Sequence, residues 1–114
     1  MITLYGIPDC DTVRKARHWL SDNNIDYRFH NFKKDGLEQQ TMEQWLKLTQ
    51  WEVLLNKKSM TWRKLPDENK TDIDQEKAID IMLANTSIIK RPVLLYNKQI
   101  CVGFSNEVYS QLTF

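Results

Sequence analysis

The sequence predicts an α/β protein built around a four-stranded mixed sheet. Two patterns support this prediction. A strand, a helix and a second strand follow one another over residues 2–32, and a β-hairpin occupies residues 93–102. A helix between two strands favours parallel pairing, whereas a hairpin is antiparallel, so the sheet is expected to contain both kinds of neighbour. A mostly helical insertion at about 37–85 separates the two parts.

The N-terminal part begins with a short apolar strand over residues 2–7, which a Pro-Asp pair interrupts. Apolar residues then recur at helical spacing from 13 to 20 and leave the charged residues on other faces, which indicates an amphipathic helix. Residues 23–24 are both Asn, a residue that tolerates the left-handed conformation found at helix ends. Residues 27–32 alternate in polarity and predict the second strand, parallel to the first.

The middle of the chain is predicted to be helical and irregular. The composition of residues 33–36 is typical of a turn, and the helical pattern loosens between 56 and 74. Asp74 or Thr71 is positioned to cap the helix that follows. The predicted helices of this region cover 37–49, 51–55 and a segment that contains 78–83.

The C-terminal part is predicted to form a hairpin and a last helix. Strands 93–96 and 99–102 are joined by a two-residue connection, and Ser105 or Asn106 can cap a short helix after them. The complete order is β-α-β, helices, β-β-α, which is the order of the thioredoxin fold with a helical insertion. We therefore expect residues 1–114 to form a single thioredoxin-like domain.

Composition limits the classes of function. The chain has 114 residues and a formal net charge of +1, which fits one domain and gives no electrostatic basis for direct binding to nucleic acid or to a membrane. No apolar run approaches the ~20 residues of a membrane helix, and no signal peptide is visible, so we expect a cytoplasmic protein. Two cysteines without a Cys-x-x-Cys motif do not make a zinc site. We expect a monomer with no metal and no tightly bound cofactor.

Cys10 is the main candidate for chemistry because it lies between the end of the first predicted strand and the start of the first predicted helix. The positive end of the helix dipole and the free backbone N–H groups there favour thiolate over thiol, and the thiolate is the nucleophile. The alternative is a small buried hydrophobe, against which the polar turn between Asp9 and Asp11 argues. Because these two carboxylates disfavour a thiolate, a cation such as Arg91 or Arg14 has to offset them.

The other candidates each have a plainer interpretation. Cys101 is either a core residue of the last strand, which is favoured, or a resolving thiol at the edge of the sheet. Arg91, immediately before Pro92, is either a surface residue or a fork for a phosphate or carboxylate group. Asn56 and Lys57 are either solvated surface residues or part of a wall that meets a carboxylate.

Segments along nearly the whole chain resemble one known family. They include Thr-Trp-Arg-Lys-Leu at 61–65 and Ile-Ile-Lys-Arg-Pro at 88–92. The full set of matching segments is 4–7, 10–12, 15–17, 19–20, 23–30, 51–52, 54–56, 61–65, 88–92 and 103–105. As a set, these residues resemble the ArsC/Spx family of arsenate reductase-like proteins, and most closely its YffB branch of glutathione-dependent thiol reductases.

The resemblance implies a thioredoxin-like sheet with a helical insertion and assigns roles to particular residues. It implies that Cys10 is the redox cysteine and that Arg91 and Pro92 lie beside it, with Pro92 cis. It also implies glutathione as a co-substrate and an oxidised thiol or small molecule as the other substrate. The predicted catalytic residues are Cys10 and Arg91, and the predicted glutathione-binding residues are Asp11, Thr12, Val13, Asn56, Lys57 and Pro92.

Departures from the family pattern separate three hypotheses. Arsenate reductases of this family hold the oxyanion with three arginines, and only Arg91 has a counterpart here, since Asn56 stands at the first position and residues 101–104 supply no arginine at the last. The missing charge-assisted contacts argue against efficient arsenate reduction. Spx regulators, which contact RNA polymerase, carry a second cysteine where this chain has Val13, so a Cys-x-x-Cys switch is excluded. The favoured hypothesis is a monothiol, glutathione-dependent thiol–disulfide oxidoreductase, with an Spx-like binding protein as the alternative.

Overall fold

The computed structural model describes residues 2–114 and divides into two compact units. The first contains residues 2–36 and 91–114, and the second contains residues 37–90, within which the predicted insertion falls. The assignment of residues 1–114 to a single domain stays a prediction. The helices and strands are β1 (Thr3–Gly6), α1 (Asp11–Asp22), β2 (Arg28–Asn31), α2 (Phe32–Asp35), α3 (Gln39–Trp45), α4 (Trp51–Leu54), α5 (Met60–Lys64), α6 (Gln75–Ala84), β3 (Val93–Tyr96), β4 (Gln99–Val102) and α7 (Asn106–Ser110).

The first unit is organised by a four-stranded sheet with the strand order β2-β1-β3-β4. β1 pairs in parallel with β2 and antiparallel with β3, and β3 pairs antiparallel with β4. Helix α1 connects the two parallel strands, as expected for a crossover connection. The predicted α/β fold class, a thioredoxin-like mixed sheet of β-α-β and β-β-α parts, is therefore confirmed.

An apolar cluster forms the core of the first unit. Helix α1 contributes a buried stripe because its apolar residues recur at helical spacing. Strands β1 and β3 contribute Leu4 and Leu94, which are partners in the antiparallel register. Tyr109 from α7 completes the cluster. The buried members are Leu4, Ala16, Leu20, Leu94, Tyr96 and Tyr109.

A tight turn joins β3 to β4, as predicted. Asn97 and Lys98 have φ angles of 45° and 60°, the left-handed pair that two-residue hairpins require. At the other end of the hairpin, the Gly103 amide donates a hydrogen bond to the Pro92 carbonyl over 2.8 Å. Helix α7 then begins with Ser105 as its cap, which was one of the two predicted caps.

The second unit is helical. Helix α6 packs against α3 and α4, and an isolated antiparallel bridge joins Leu55, just after α4, to Ile89 near the end of this unit. Asp74 caps α6 as predicted, since its Oδ1 accepts a hydrogen bond from the Lys77 amide over 2.9 Å. None of the described helices has both the length and the apolar character needed to cross a membrane. The fully buried side chains of this unit include Met42, Trp45, Leu54, Met82 and Ile88.

The turn predicted at 33–36 is wrong, because this segment is mostly helical. Asn31 at the end of β2 also caps α2, and its side chain accepts hydrogen bonds from the amides of Lys33 and Lys34. Asn is a favourable cap residue, and here the cap follows a strand without any loop. The α2 helix ends at Gly36, which has a φ of 67° that glycine adopts readily.

Two predictions about the second unit also need correction. The segment 56–74, expected to be irregular, contains α5, which begins because the Ser59 hydroxyl accepts a hydrogen bond from the Trp62 amide over 3.2 Å. The helix expected over 37–49 is shorter and covers only Gln39–Trp45, after which the chain continues in turns. Both errors arise at helix ends, where local capping decides the boundary.

Candidate active site

Cys10 is the N-cap residue of α1. Its backbone is extended, its carbonyl accepts the first intrahelical hydrogen bond from the Arg14 amide over 2.9 Å, and its side chain makes no capping hydrogen bond. The side chain is half-buried and reduced. The amides of Asp11, Thr12 and Val13, in the first turn, have no acceptor within the helix. Cys10 therefore lies at the end of the helix whose free backbone N–H groups can stabilise a developing negative charge.

Close packing between β1 and α1 fixes the position of this helix start. A Cβ atom added to Gly6 would lie 2.7 Å from Cγ2 of Val13, which is closer than real side chains approach. Val13 is fully buried, and its β-branched side chain has few ways to move aside. Glycine at position 6 therefore allows the first turn of α1 to sit against the end of β1, four residues before the thiol.

Both carboxylates that flank Cys10 are paired with a cation. Lys33 of α2 donates to Asp9 at 3.1 Å, and Arg14 donates to Asp11 at 2.6 Å. The hydrogen bond and charge of Lys33 hold the pKa of Asp9 below its ordinary value. The expected conflict between these carboxylates and a thiolate is thus reduced by cations from two different helices. Lys33 cannot be identified from local sequence, because nothing near it indicates that a residue so far along the chain meets Asp9.

Arg91 and Pro92 lie at the same end of the sheet as Cys10. The antiparallel register pairs Tyr5 with Val93, so the residues before Val93 continue beside the end of β1, from which the loop to Cys10 departs. The Arg91–Pro92 peptide bond is cis, as the resemblance implied. Pro92 is buried and Arg91 is half-buried. Their predicted roles in catalysis and glutathione binding stay predictions.

Asn56 and Lys57 belong to the second unit, where they line a cleft of about 340 Å³. The Asn56 side chain already has a structural role, because its Oδ1 accepts a hydrogen bond from the Lys58 amide over 3.0 Å. The Lys57 ammonium lies 5.9 Å from the centre of the Trp62 ring. Their predicted contact with a glutathione carboxylate stays a prediction. The cleft is lined by Trp51, Glu52, Leu55, Asn56, Lys57, Lys58 and Lys90.

Cys101 has a different environment from that of Cys10. It lies on the edge strand β4, opposite Leu94, and packs against the apolar cluster of the first unit. Burial raises the pKa of its thiol above the ordinary value. The thiol form is therefore favoured at neutral pH, as expected for the core residue that the sequence analysis preferred.

The arrangement around Cys10 is suited to thiol exchange. It combines a reachable sulfur, first-turn amides and an arginine at the same end of the sheet. Within residues 2–114, no group of three or more His, Cys, Asp or Glu side chains is arranged to hold a metal ion.

Comparison with known proteins agrees with this geometry. The model of the ArsC family matches residues 5–112. A solved structure described as a YffB protein is 41% identical with a TM-score of 0.92, and the match covers 96% of both chains. An arsenate reductase (ArsC) related protein from Brucella melitensis is 46% identical with a TM-score of 0.78, covering 97% of this chain and 95% of that one. The global transcriptional regulator Spx of Staphylococcus aureus is 30% identical over 112 residues, covering 94% of this chain and 82% of the regulator.

Proposed function

This chain belongs to the ArsC family, and we propose that it is a glutathione-dependent thiol–disulfide oxidoreductase with Cys10 as its nucleophile. Its relatives support either an ArsC-type thiol reductase or an Spx-type function. The observation that carries the reductase proposal is the position of Cys10. Cys10, whose side chain is half-buried, is the N-cap residue of α1, at the helix end where the first amides have no intrahelical acceptor.

The proposed reaction has two thiol exchange steps. In the first, the Cys10 thiolate attacks the glutathione sulfur of a glutathionylated substrate, so a Cys10–glutathione disulfide forms and the substrate leaves as a thiolate that takes up a proton from water. In the second, the thiolate of another glutathione attacks that disulfide and releases Cys10 as a thiolate together with oxidised glutathione. The net reaction converts the glutathionylated substrate and one glutathione into the substrate thiol and oxidised glutathione, so the substrate sulfur is reduced as the sulfur of the attacking glutathione is oxidised.

The resolving thiol is proposed to come from glutathione because the chain offers no suitable second cysteine. Val13 occupies the position three residues after Cys10, where a Cys-x-x-Cys motif would have its second cysteine. Cys101 is packed against the apolar cluster, and burial raises the pKa of its thiol. A monothiol mechanism therefore requires an external thiol.

The surrounding groups have separate proposed roles. The amides of Thr12 and Val13 would stabilise the departing or attacking sulfur, as helix N-termini do for anions. Arg91 would pair with an anionic end of glutathione, and the backbone flanking Pro92 would meet its peptide part. Asn56 and Lys57 are proposed to bind a glutathione carboxylate, and a Lys57→Gln variant with a raised KM for glutathione would support this.

Mass spectrometry after incubation with oxidised glutathione tests the proposal directly. We expect a single glutathione adduct on Cys10 in the parent protein and in the Cys101→Ser variant. The Cys10→Ser variant should form no adduct and should not accelerate the reduction of a glutathionylated peptide by glutathione. Full turnover by Cys10→Ser, or an adduct confined to Cys101, would refute the mechanism.

An Spx-type regulator is the second candidate, which the similarity to the Staphylococcus aureus regulator supports. In this case the chain would bind RNA polymerase, and Cys10 would not be needed for chemistry. Pull-down of RNA polymerase with the parent protein and with Cys10→Ala distinguishes the two proposals. Equal recovery of polymerase by both proteins, together with no glutathione-dependent turnover, would favour the regulator.

Arsenate reduction is the least favoured candidate, although a similar solved structure is described as related to arsenate reductase. Of the three arginines that hold the oxyanion in the family pattern, only Arg91 has a counterpart in this chain. Two missing charge-assisted contacts would weaken oxyanion binding by roughly a hundredfold or more. Arsenate turnover in the presence of glutathione and a glutaredoxin would reinstate this candidate.

A further inference from the structure

A cleft with a basic lining runs along the exposed face of α1, and of its residues only Arg14, the partner of Asp11, has been described above. Its residues on α1 are spaced i, i+3, i+4 and i+7, so their side chains share one face of the helix. Tyr27, just before β2, forms the remaining wall. The cleft has a volume of about 260 Å³. Its lining residues, which define the α1 cleft, are Arg14, Arg17, His18, Ser21 and Tyr27.

Arg17 is held in place within the α1 cleft. Its guanidinium lies over the Phe29 ring, with the central carbon 4.1 Å from the ring centroid, and its Nε donates a hydrogen bond to the Tyr27 hydroxyl over 3.1 Å. These contacts reduce the entropy that Arg17 would lose on binding a ligand. In the described part of the chain, Arg17 takes part in none of the ion pairs, so its charge is available to an external anion.

The balance of charge around the α1 cleft favours a carboxylate ligand. No acidic side chain lines it, although the net charge of the whole chain is only +1. Arg14 already binds one carboxylate, that of Asp11, and both members of this pair are more than half exposed. The amides in the middle of α1 are used within the helix, so the side chains supply the donors. Guanidinium groups bind carboxylates through paired hydrogen bonds.

The α1 cleft is joined to the loop that carries Cys10. Arg14 Nε donates a hydrogen bond to the Pro8 carbonyl over 3.2 Å, so one end of the cleft contacts this loop. Arg17 lies seven residues after Cys10, which corresponds to about 10 Å along a helix. A bound chain about three extended residues long can span that distance.

We propose that the α1 cleft binds a side-chain carboxylate of an acidic protein segment whose oxidised cysteine reacts at Cys10. The inference rests on the proposed function for the reaction at Cys10, but the binding itself needs no thiol chemistry. Arg17 is the main contact, and Arg14 contributes by exchanging Asp11 for the incoming carboxylate. The substrate class is thus a protein with a Glu or Asp near its reactive cysteine.

Binding is tested without redox chemistry on the Cys10→Ser protein. A cysteine-free, Glu-rich peptide is titrated against ¹⁵N-labelled protein, with a peptide in which every Glu is replaced by Gln as the control ligand. We expect shifts confined to the α1 cleft, a dependence on salt, and a loss of about tenfold to a hundredfold in affinity for Arg17→Gln. Arg63→Gln, an exposed arginine in the second unit, is the matched control and should bind normally.

Three outcomes would overturn the inference. These are equal binding of the Glu and Gln peptides, equal affinity of the Arg17→Gln and Arg63→Gln variants, and binding of inorganic phosphate at the cleft without binding of the peptide. Because Arg17 packs on Phe29, Arg14→Gln is a second variant with a more exposed side chain, and it should weaken peptide binding in the same direction.

Turnover separates this inference from the proposed function. Two glutathionylated peptides differ only in a Glu or Gln placed three residues from the cysteine. With active protein, we expect a lower KM for the Glu peptide at similar kcat, and no such preference in Arg17→Gln. If neither peptide is reduced but the acidic peptide still binds through Arg17, the oxidoreductase proposal fails while the binding site stands. If both are reduced equally, the α1 cleft has no role in substrate choice.

Discussion

Both cysteines of this chain are half-buried, yet their surroundings differ. Cys10 lies in a polar turn at the start of α1, where Lys33 and Arg14 pair with the flanking carboxylates. Cys101 lies on the edge strand β4 and packs against an apolar cluster that contains Tyr109. The two thiols therefore differ in their surroundings and not in their exposure. The secondary structure that carries the sulfur, and the charges and dipoles around it, distinguish them.

The surroundings of Cys101 also act on neighbouring groups. Burial and, to a smaller extent, the negative charge of the Cys101 thiolate raise the pKa of Tyr109 and of Tyr96. The Tyr109 hydroxyl is buried without a hydrogen-bond partner in the described residues. This region therefore favours uncharged groups, whereas the turn at Cys10 holds ion pairs.

The largest expected contrast is in alkylation rate. With iodoacetamide at neutral pH, we expect Cys10 to react at least about tenfold faster than Cys101, because burial raises the pKa of the Cys101 thiol and leaves little thiolate. The single-cysteine variants Cys10→Ser and Cys101→Ser allow each rate to be measured by mass spectrometry. Similar alkylation rates for the two thiols would contradict the proposed difference between their surroundings.

The next largest effect concerns the packing that positions Cys10. We expect Gly6→Ala to lower the free energy of unfolding by about 1–3 kcal/mol, because the new methyl group overlaps Val13 in a closely packed site. Denaturant unfolding measures this loss. The double variant Gly6→Ala/Val13→Ala should be more stable than the sum of the two single changes predicts. Strict additivity would mean that the close approach does not constrain the helix start.

A smaller effect is expected on the Cys101 side. Tyr109→Phe removes a buried hydroxyl that has no partner and keeps the ring, so stability should change by less than about 1 kcal/mol or increase slightly. Tyr109→Ala is the matched contrast and should cost about 3–5 kcal/mol, since the ring is fully buried. Thermal unfolding of both variants provides the measurement. A strongly destabilised Tyr109→Phe would indicate that the hydroxyl has an important partner.

The smallest effect concerns the ion pair beside Cys10. NMR titration should give Asp9 a pKa below its ordinary value, and Lys33→Met should move it back upward. Because the pKa is lowered in the folded state, the pair contributes to stability above the ordinary carboxyl pKa, and this contribution is lost as the pH falls through the lowered value. Lys34→Met is a suitable control, because within residues 2–114 the Lys34 side chain takes part in none of the ion pairs. An unchanged Asp9 pKa in Lys33→Met would show that Lys33 does not lower the pKa of this carboxyl group.

The predictions that succeeded depended on local signals. The placement of Cys10 before a helix, the caps Asp74 and Ser105, and the turn at 97–98 can each be identified within a few residues of sequence. The mixed sheet followed because connection lengths restrict how neighbouring strands pair.

The features that the sequence did not reveal depend on contacts between distant residues. Lys33 meets Asp9, and Arg17 stacks on Phe29, only once β2 has paired with β1. The close approach of Gly6 to Val13 also requires the packed helix. The missed helix α2 has a different cause, because its cap residue, Asn31, is also the last residue of a strand and its signal was assigned to the strand.

The register between β1 and β3 has a consequence for the position of Arg91. A slip of two residues in strand β3 would keep every side chain on the same face and so would preserve the apolar pattern. It would nevertheless shift Arg91 by about 7 Å relative to the start of α1. The observed register opposes such a slip, because it pairs Leu4 with Leu94 and Tyr5 with Val93. A two-residue change in the pairing of β3 with β1 would therefore displace Arg91 relative to Cys10 while leaving the hydrophobic pattern of the sheet intact.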